Sequence, residues 1–341
     1  MKDWKIFLGN RAPHDGIMQL DPPPPWRPFR VDDVARERVI PAPDKLSPTV
    51  QQRGSTFQCP PQALDIVNAA LYLRRPILVT GKPGSGKSSL IDAVAYELKL
   101  GEPLRWAVTS RSTLKEALYV YDAVGRLQEQ QREKTLDHNI ADGLPIAEFL
   151  RLGPLGTALL PTDRPRALLI DEIDKADLDL PNDLLNILEE GEFEIPELAR
   201  LRDKTKIVEV RIHRGTDGET YPVPDGTVRM KQFPFVVFTS NGERDFPPAF
   251  LRRCLRLDMP DPCADVDRLT AIVQAHLSQY FTEPAFQASV KQRIDEFIER
   301  AAKETLATDQ LLNAIFLVIG KHGVLEEEQN ALVRAVTRAL K

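Results

Sequence analysis

The residues able to do chemistry cluster in two places: the turn from Gly81 to Ser89 and the adjacent carboxylates Asp171 and Glu172. The turn has the spacing G-x-x-x-x-G-K-S, in which glycines let backbone N–H groups close around phosphate oxygens with no Cβ in the way. Gly81, Lys82, Pro83, Gly84, Ser85, Gly86, Lys87, Ser88 and Ser89 are therefore read as the ATP-binding segment. Lys87 reaches the β and γ phosphates, Ser88 offers its hydroxyl to Mg²⁺, and the following helix points its positive end at the anion. Asp171 and Glu172 end the apolar run Leu168-Leu169-Ile170, where two carboxylates repel unless a cation lies between them. With Mg²⁺ present, Asp171 holds the metal, largely through its waters, and Glu172 orients and polarises the attacking water. Asp174 and Lys175, just beyond, read as a surface pair.

Two further groups belong with these. Asn241 closes the run Phe235 to Thr239, and a polar residue at the carboxyl end of a parallel strand points into the crevice where a nucleotide binds. Arg252 and Arg253 end a short helix before the last strand, too far along the chain to serve their own nucleotide easily. They read as an arginine finger supplied to a neighbouring subunit, against the alternative of cations answering a helix dipole.

These residues need a parallel sheet to carry them. Short apolar runs at Pro76 to Thr80, Leu104 to Val108, Ala167 to Ile170, Phe235 to Thr239 and Cys254 to Met259 alternate with helical patterns at Gln62 to Leu73 and Ser88 to Leu100. That alternation predicts an α/β fold with a parallel sheet covered on both faces. Two excursions interrupt it. Residues 111–161 show helical stretches with no strong sheet signal, and residues 191–232 contain a hairpin pattern, with Val208, Val210 and Ile212 on one face and a turn at Gly215 to Gly218. After Pro260-Asp261-Pro262 the pattern is wholly helical, at about 264–280, 284–303, 308–321 and 326–340. The chain thus divides into a proline-rich arm over 1–56, an α/β core over 57–261 and a helical lid over 262–341. The arm, with Trp4, Phe7, Leu8, Trp26 and Phe29, is expected to be extended and strapped across a neighbouring surface.

Composition closes off other classes. A net charge of -5 in 341 residues gives no reason to expect nucleic acid as the main partner. The basic residues Lys204, Lys206, Arg211, Arg214, Arg229 and Lys231 read as a solvated hairpin face. No run has the roughly 18 apolar residues of a membrane span, and no signal-peptide pattern follows Met1, so the chain is expected in the cytoplasm. Cys59, Cys254 and Cys263 lack metal-ligand spacing and are expected as free thiols.

In this order, with a helical lid behind them, the four elements resemble the AAA+ ATPases and among them the MoxR family, over about 57–341. The similarity extends to Gly153-Pro154-Leu155-Gly156 and to Leu184-Leu185-Asn186-Ile187-Leu188-Glu189-Glu190-Gly191. It implies a P-loop core with a five-stranded parallel sheet and the two excursions as family insertions. It further implies a ring, commonly a hexamer, with ATP at subunit interfaces, remodelling or activating a protein partner, often one with a von Willebrand factor A domain. Trp4 to Phe7, Thr109 to Leu114 and Tyr119 to Ala123 also resemble a branch found in bacterial multi-protein conflict systems. Two departures stand out. Gln310 occupies the place of the family's charged lid arginine, and the finger pattern aligns best with Arg253 while Arg252 and Arg256 flank it. Beside a remodelling ATPase the sequence therefore leaves open a slow-hydrolysing, nucleotide-gated switch or scaffold, favoured by Gln310. A DNA-dependent motor is disfavoured by the acidic balance.

Overall fold

A computed structural model describes residues 4–27, 37–40, 45–135, 145–202, 205–213, 219–278, 284–301, 304, 306–319 and 337. The regular elements begin with helices α1 (Pro48–Thr56) and α2 (Pro61–Leu73), each with proline in its first turn, where the missing N–H is not needed. Strand β1 (Ile77–Thr80), helix α3 (Ser89–Glu97) and strand β2 (Leu104–Ala107) follow. The first excursion supplies α4 (Leu114–Leu118), β3 (Tyr119–Tyr121), α5 (Ala123–Thr135), β4 (Leu150–Leu152) and α6 (Pro154–Ala158). After β5 (Ala167–Asp171) and α7 (Leu180–Glu190), the second excursion supplies β6 (Glu192–Glu194), α8 (Pro196–Ala199), β7 (Ile207–Arg211), β8 (Thr220–Pro224) and β9 (Thr227–Arg229). Strand β10 (Phe235–Thr239), α9 (Pro248–Arg253) and β11 (Leu255–Asp258) complete the α/β part, and α10 (Val266–Leu277), α11 (Pro284–Ala301) and α12 (Thr308–Ile319) follow.

The main sheet has the order β11-β1-β10-β5-β2, and every pairing in it is parallel. Successive residues of each strand point to opposite faces, and both faces are covered. Leu78, Leu168, Ile170, Val236 and Phe238 enter one apolar cluster; Ile77, Val79, Leu169, Val237 and Leu257 enter the other. This double burial is why the strands read as unbroken apolar runs rather than as alternating ones.

The excursions are joined to each other. Their strands form a second sheet in the order β3-β4-β7-β8, with β3 and β4 from the first excursion and the hairpin strands β7 and β8 from the second. The first excursion therefore does contribute strands, against the sequence reading. Each of these strands has only 3 residues, too short to leave a periodic signature. The turn at Gly215 to Gly218 lies outside the described residues, as do Lys204 and Arg214, all but residue 337 of the helix expected at 326–340, and Phe29. Of the remaining basic residues, Arg229 pairs with Glu192 and Lys231 with Glu37.

The N-terminal segment also differs from expectation. Residues 48–56 form a helix rather than extended arm, packed on α3 so closely that a Cβ on Gly54 would lie 2.4 Å from the Cβ of Tyr96. The extended part lies against its own chain at Ile6 and Phe7, while Trp4, Leu8 and Trp26 stay exposed. Phe7 is fully buried, the Ile6 and Phe7 amides donate to Asn68 Oδ1 at 2.7 and 2.9 Å, and Asn68 returns a bond to the Phe7 carbonyl. The Leu8, Gly9 and Arg11 amides donate to the buried carboxylate of Glu97. Asn68→Ala should leave these amides without their acceptor and cost about 1–3 kcal/mol of unfolding free energy. Hydrogen exchange should report faster exchange at Ile6 and Phe7; unchanged protection there would mean that the segment is held by other contacts.

Candidate functional site

The registers bring three strand ends level. Ile170 pairs with Trp106 on one side and with Phe238 on the other, so Asp171 and Thr239 emerge together beside the turn after β1. One carboxylate oxygen ties them. Asp171 Oδ1 accepts from Ser88 Oγ at 3.0 Å and from Thr239 Oγ1 at 2.5 Å, while Thr239 Oγ1 accepts the Glu172 amide at 2.9 Å. Asn241 follows β10 and lines the same cleft.

The turn itself is shaped by residues at positive φ: Gly81 at 140°, Gly84 at 76° and Gly86 at 90°. Lys87 is only 8% exposed, and its Nζ donates to the Gly81 and Lys82 carbonyls at 2.7 and 3.0 Å. Burial pushes this ammonium below its ordinary pKa, against the pull of Asp171, Asp174 and Glu172. A cation that borrows carbonyls from its own loop can exchange them for phosphate oxygens without leaving its place. Lys82 instead turns outward, its Nζ 2.8 Å from Asp261 Oδ2.

Glu172 has a left-handed backbone, φ 59° and ψ 47°, a conformation that costs a non-glycine residue on the order of 1 kcal/mol. It aims the side chain off the strand direction, where its carboxylate meets Lys175 Nζ at 2.7 Å. That hydrogen bond holds the Lys175 ammonium above its ordinary pKa. Asp174 and Lys175 are thus not a surface pair. Asp174 is 3% exposed, and its Oδ2 accepts the amides of Asn241 and Glu243 at 3.0 and 3.1 Å. It fastens the loop that carries Asn241, a role invisible to a reading that takes charged residues after a strand as solvated.

The cleft holds about 600 Å³, within the range of small-molecule sites, and is walled by several separate segments. Pro83 to Ser89 form its floor, with Asp171, Glu172, Thr239 and Asn241 at one end. Residues without a motif supply the rest: Arg53, Thr56, Phe57 and Gln58 precede β1, while Arg268, Ile272 and His276 repeat every fourth residue along one face of α10. The α10 spacing was the available signal; α1 offered none, because it was expected as extended chain. Ala307 to Gln310 close the cleft from above, and Gln310 Oε1 accepts the Ala307 amide at 2.9 Å. Ser88 and Asp171 place a hydroxyl and a carboxylate oxygen 3.0 Å apart, the hard-oxygen pair that suits a divalent ion also carried by phosphates.

Arg252 and Arg253 are not brought to this cleft. Arg253 Nε lies 3.3 Å from Glu189 Oε1 and its Nη1 donates to Asn186 Oδ1 at 3.4 Å. Arg252 is exposed, and Arg256 is exposed on β11.

The profile of the AAA domain (dynein-related subfamily) matches residues 76–254. Similar solved structures include NtrX from Brucella abortus, at 14% identity and TM-score 0.42 over 80% of this chain and 53% of that one. The same protein in complex with ATP gives 13%, 0.40, 80% and 55%, and the S. cerevisiae Hsp104-ADP complex gives 16%, 0.38, 80% and 44%. The chain thus spans about half the length of these structures. No curated protein matches it.

Asp174→Ala should remove the acceptor of two loop amides and lower unfolding free energy by about 2 kcal/mol or more. Denaturant titration checks the loss, and wild-type stability would show that water replaces the carboxylate without penalty.

Proposed function

This chain belongs to the AAA domain family, dynein-related subfamily, and on that premise we propose that it binds Mg·ATP in the cleft and hydrolyses it to drive a change in a protein partner. The observation that carries the proposal is the meeting of Lys87, Ser88, Asp171, Glu172 and Asn241 around one cavity of about 600 Å³. In this reading the amides of Gly84 to Ser88 and the Lys87 ammonium bind the triphosphate. Ser88 and Asp171 would hold Mg²⁺, which supplies charge neutralisation at the phosphates. Glu172 orients the attacking water and Asn241 touches that water or the γ phosphate. Phe57 and Ile272 offer apolar surface to the base. For Glu172 to act on water, its contact with Lys175 must loosen.

The finer assignment is to the MoxR branch, working as a cytoplasmic homo-oligomeric ring, a hexamer, with a partner that carries a von Willebrand factor A domain. Arg253, with Arg252 beside it, then acts on the nucleotide of a neighbouring copy. What supports a separate acceptor is the position of both arginines outside the chain's own cleft, together with AAA proteins' general habit of forming rings. No helix among the described residues is long and apolar enough to cross a membrane.

A second reading, a slow nucleotide-gated scaffold, is favoured by two observations. Gln310 is neutral and its side-chain oxygen is engaged by the Ala307 amide, and the Glu172 carboxylate is held by Lys175. Lys87→Ala should abolish ATP binding under either reading, measured by calorimetry. Glu172→Gln should bind ATP and stop turnover; a motor's output should then vanish, whereas a scaffold's should persist or rise. Arg253→Ala should bind ATP yet lose turnover on the order of a thousandfold. Turnover should also rise with protein concentration, and full activity in an isolated monomer would remove the finger assignment.

A further inference from the structure

Outside the cleft, two arginines from distant segments meet on one carboxylate, and two more brace the segments that carry them. Arg253 Nε and Arg27 Nη2 contact the same oxygen, Glu189 Oε1, at 3.3 and 3.7 Å. Arg27 comes from the N-terminal segment and is held by its Nη1 donating to the Arg74 carbonyl at 2.7 Å. Arg74 in turn donates to the Asp21 carbonyl at 2.5 Å, so the segment is anchored at two points of the turn that ends α2. Its neighbour Arg75 faces the other way. Its Nε donates to the Arg253 carbonyl at 3.1 Å and its Nη2 to the Arg252 carbonyl, capping the carboxyl end of α9.

The charges do not balance within this group. Glu189 is the one carboxylate that contacts either Arg27 or Arg253 among the described residues. Burial lowers the pKa of Arg27, Glu189 opposes that, and Arg75 and Arg253 add to it by repulsion. Two guanidinium groups therefore compete for one oxygen. The more enclosed is Arg27, whose side chain is 17% exposed, against 37% for Arg253. Asn186 Oδ1, the other partner of Arg253, is a weak one at 3.4 Å.

Resting on the reading that Arg253 serves a neighbouring copy's triphosphate, we propose that Glu189 is its holding site in the unengaged chain and that Arg27 governs its release. When Arg253 leaves, the exposed Glu189 carboxylate loses one of its two counter-charges, which opposes departure by the modest amount of a solvated ion pair. Arg27 remains beside it and supplies that charge, so the carboxylate is satisfied whether Arg253 is parked or extended. Arg27 is thus a positioning residue: it touches no substrate and acts through Glu189. The N-terminal segment becomes part of the device that sets how readily the finger extends, and Arg75 fixes the helix end from which it swings.

The test is a double-variant cycle on the full chain, reading ATP turnover against protein concentration and nucleotide affinity separately. Arg27→Ala should lower turnover about twofold to fivefold, the range that one partly exposed ion pair supplies, with nucleotide affinity unchanged. Arg27→Lys, which keeps the charge, should recover most of the loss. Glu189→Gln frees Arg253 and should raise turnover at limiting protein concentration by about threefold or more. In the Glu189→Gln background, Arg27→Ala should have no further effect, because the carboxylate through which it acts is gone. Wild-type turnover in Arg27→Ala or in Glu189→Gln overturns the proposal, as does an Arg27→Ala loss that is equal with and without Glu189. Because Glu189→Gln predicts a gain, it stays decisive if Arg27→Ala fails to fold. Arg253→Ala separates the two levels: lost turnover there with an unaffected Arg27→Ala sinks this proposal alone, whereas full turnover in Arg253→Ala removes the finger reading beneath it.

Discussion

A single carboxylate oxygen, Asp171 Oδ1, joins the three parts on which the site depends. It accepts the Ser88 hydroxyl from the turn after β1 and the Thr239 hydroxyl from β10, while lying itself at the end of β5. The sheet makes this meeting possible. Parallel pairing in the order β1-β10-β5 brings like ends together, and a slip of one residue in β5 would turn Asp171 toward the opposite face. That slip is opposed by the whole strand, since Leu168 and Ile170 belong to one apolar cluster and Leu169 to the other. The apolar core therefore fixes the polar geometry, and the lone carboxylate needs no separate device to hold it.

Around that centre, buried charges fasten the surrounding segments. Asp92, fully buried on α3, faces Arg105 on β2 and Arg53 on α1, and burial raises its pKa against the pull of Arg105. Glu97, on the same helix, binds the N-terminal amides. The helix whose first turn faces the phosphate cradle thus anchors α1 and the N-terminal segment by its outer side. Arg53, which contacts Asp92 at 3.7 Å, also lines the cleft, so the cleft's outer wall and the helix behind the cradle share a partner.

Much of this was legible in the residue order. Wherever a residue's role follows from local spacing, as for Gly81 to Ser88 or the apolar run ending in Asp171, position in the chain predicts position in space. The five strands of the main sheet could be read because burial on both faces leaves a run with no alternation. Strands β3 and β4 could not, because 3 residues carry no period and their partners lie in the other excursion. Asp174 was misread for a related reason: a carboxylate that serves amides 67 and 69 residues away looks locally like any charged turn residue. Helix α1 was hidden by the prolines before it, although Ser47-Pro48 is itself a helix-start signal. Arg27 and Glu189 are 162 residues apart in number, and nothing in either neighbourhood announces the other.

The same contrast bears on how the helical segment following β11 can respond to what occupies the cleft. A Cβ on Gly84 would lie 2.8 Å from the Ala307 Cβ and 2.9 Å from the Thr308 amide nitrogen, so the phosphate turn and the start of α12 are in direct contact. Glycine is needed at this point twice over, for its φ of 76° and for this approach. Gln310 braces the α12 side by accepting the Ala307 amide, and Lys82 braces the turn through Asp261, at the entrance to the helical segment. Contact between two braced surfaces transmits displacement rather than absorbing it, because close-packed interiors yield little. Lys87 and Gln310 both line the cleft, so on the proposed reading a phosphate bound there would meet the turn and the start of α12 together, and Gln310 would answer it through packing and hydrogen bonding rather than through charge.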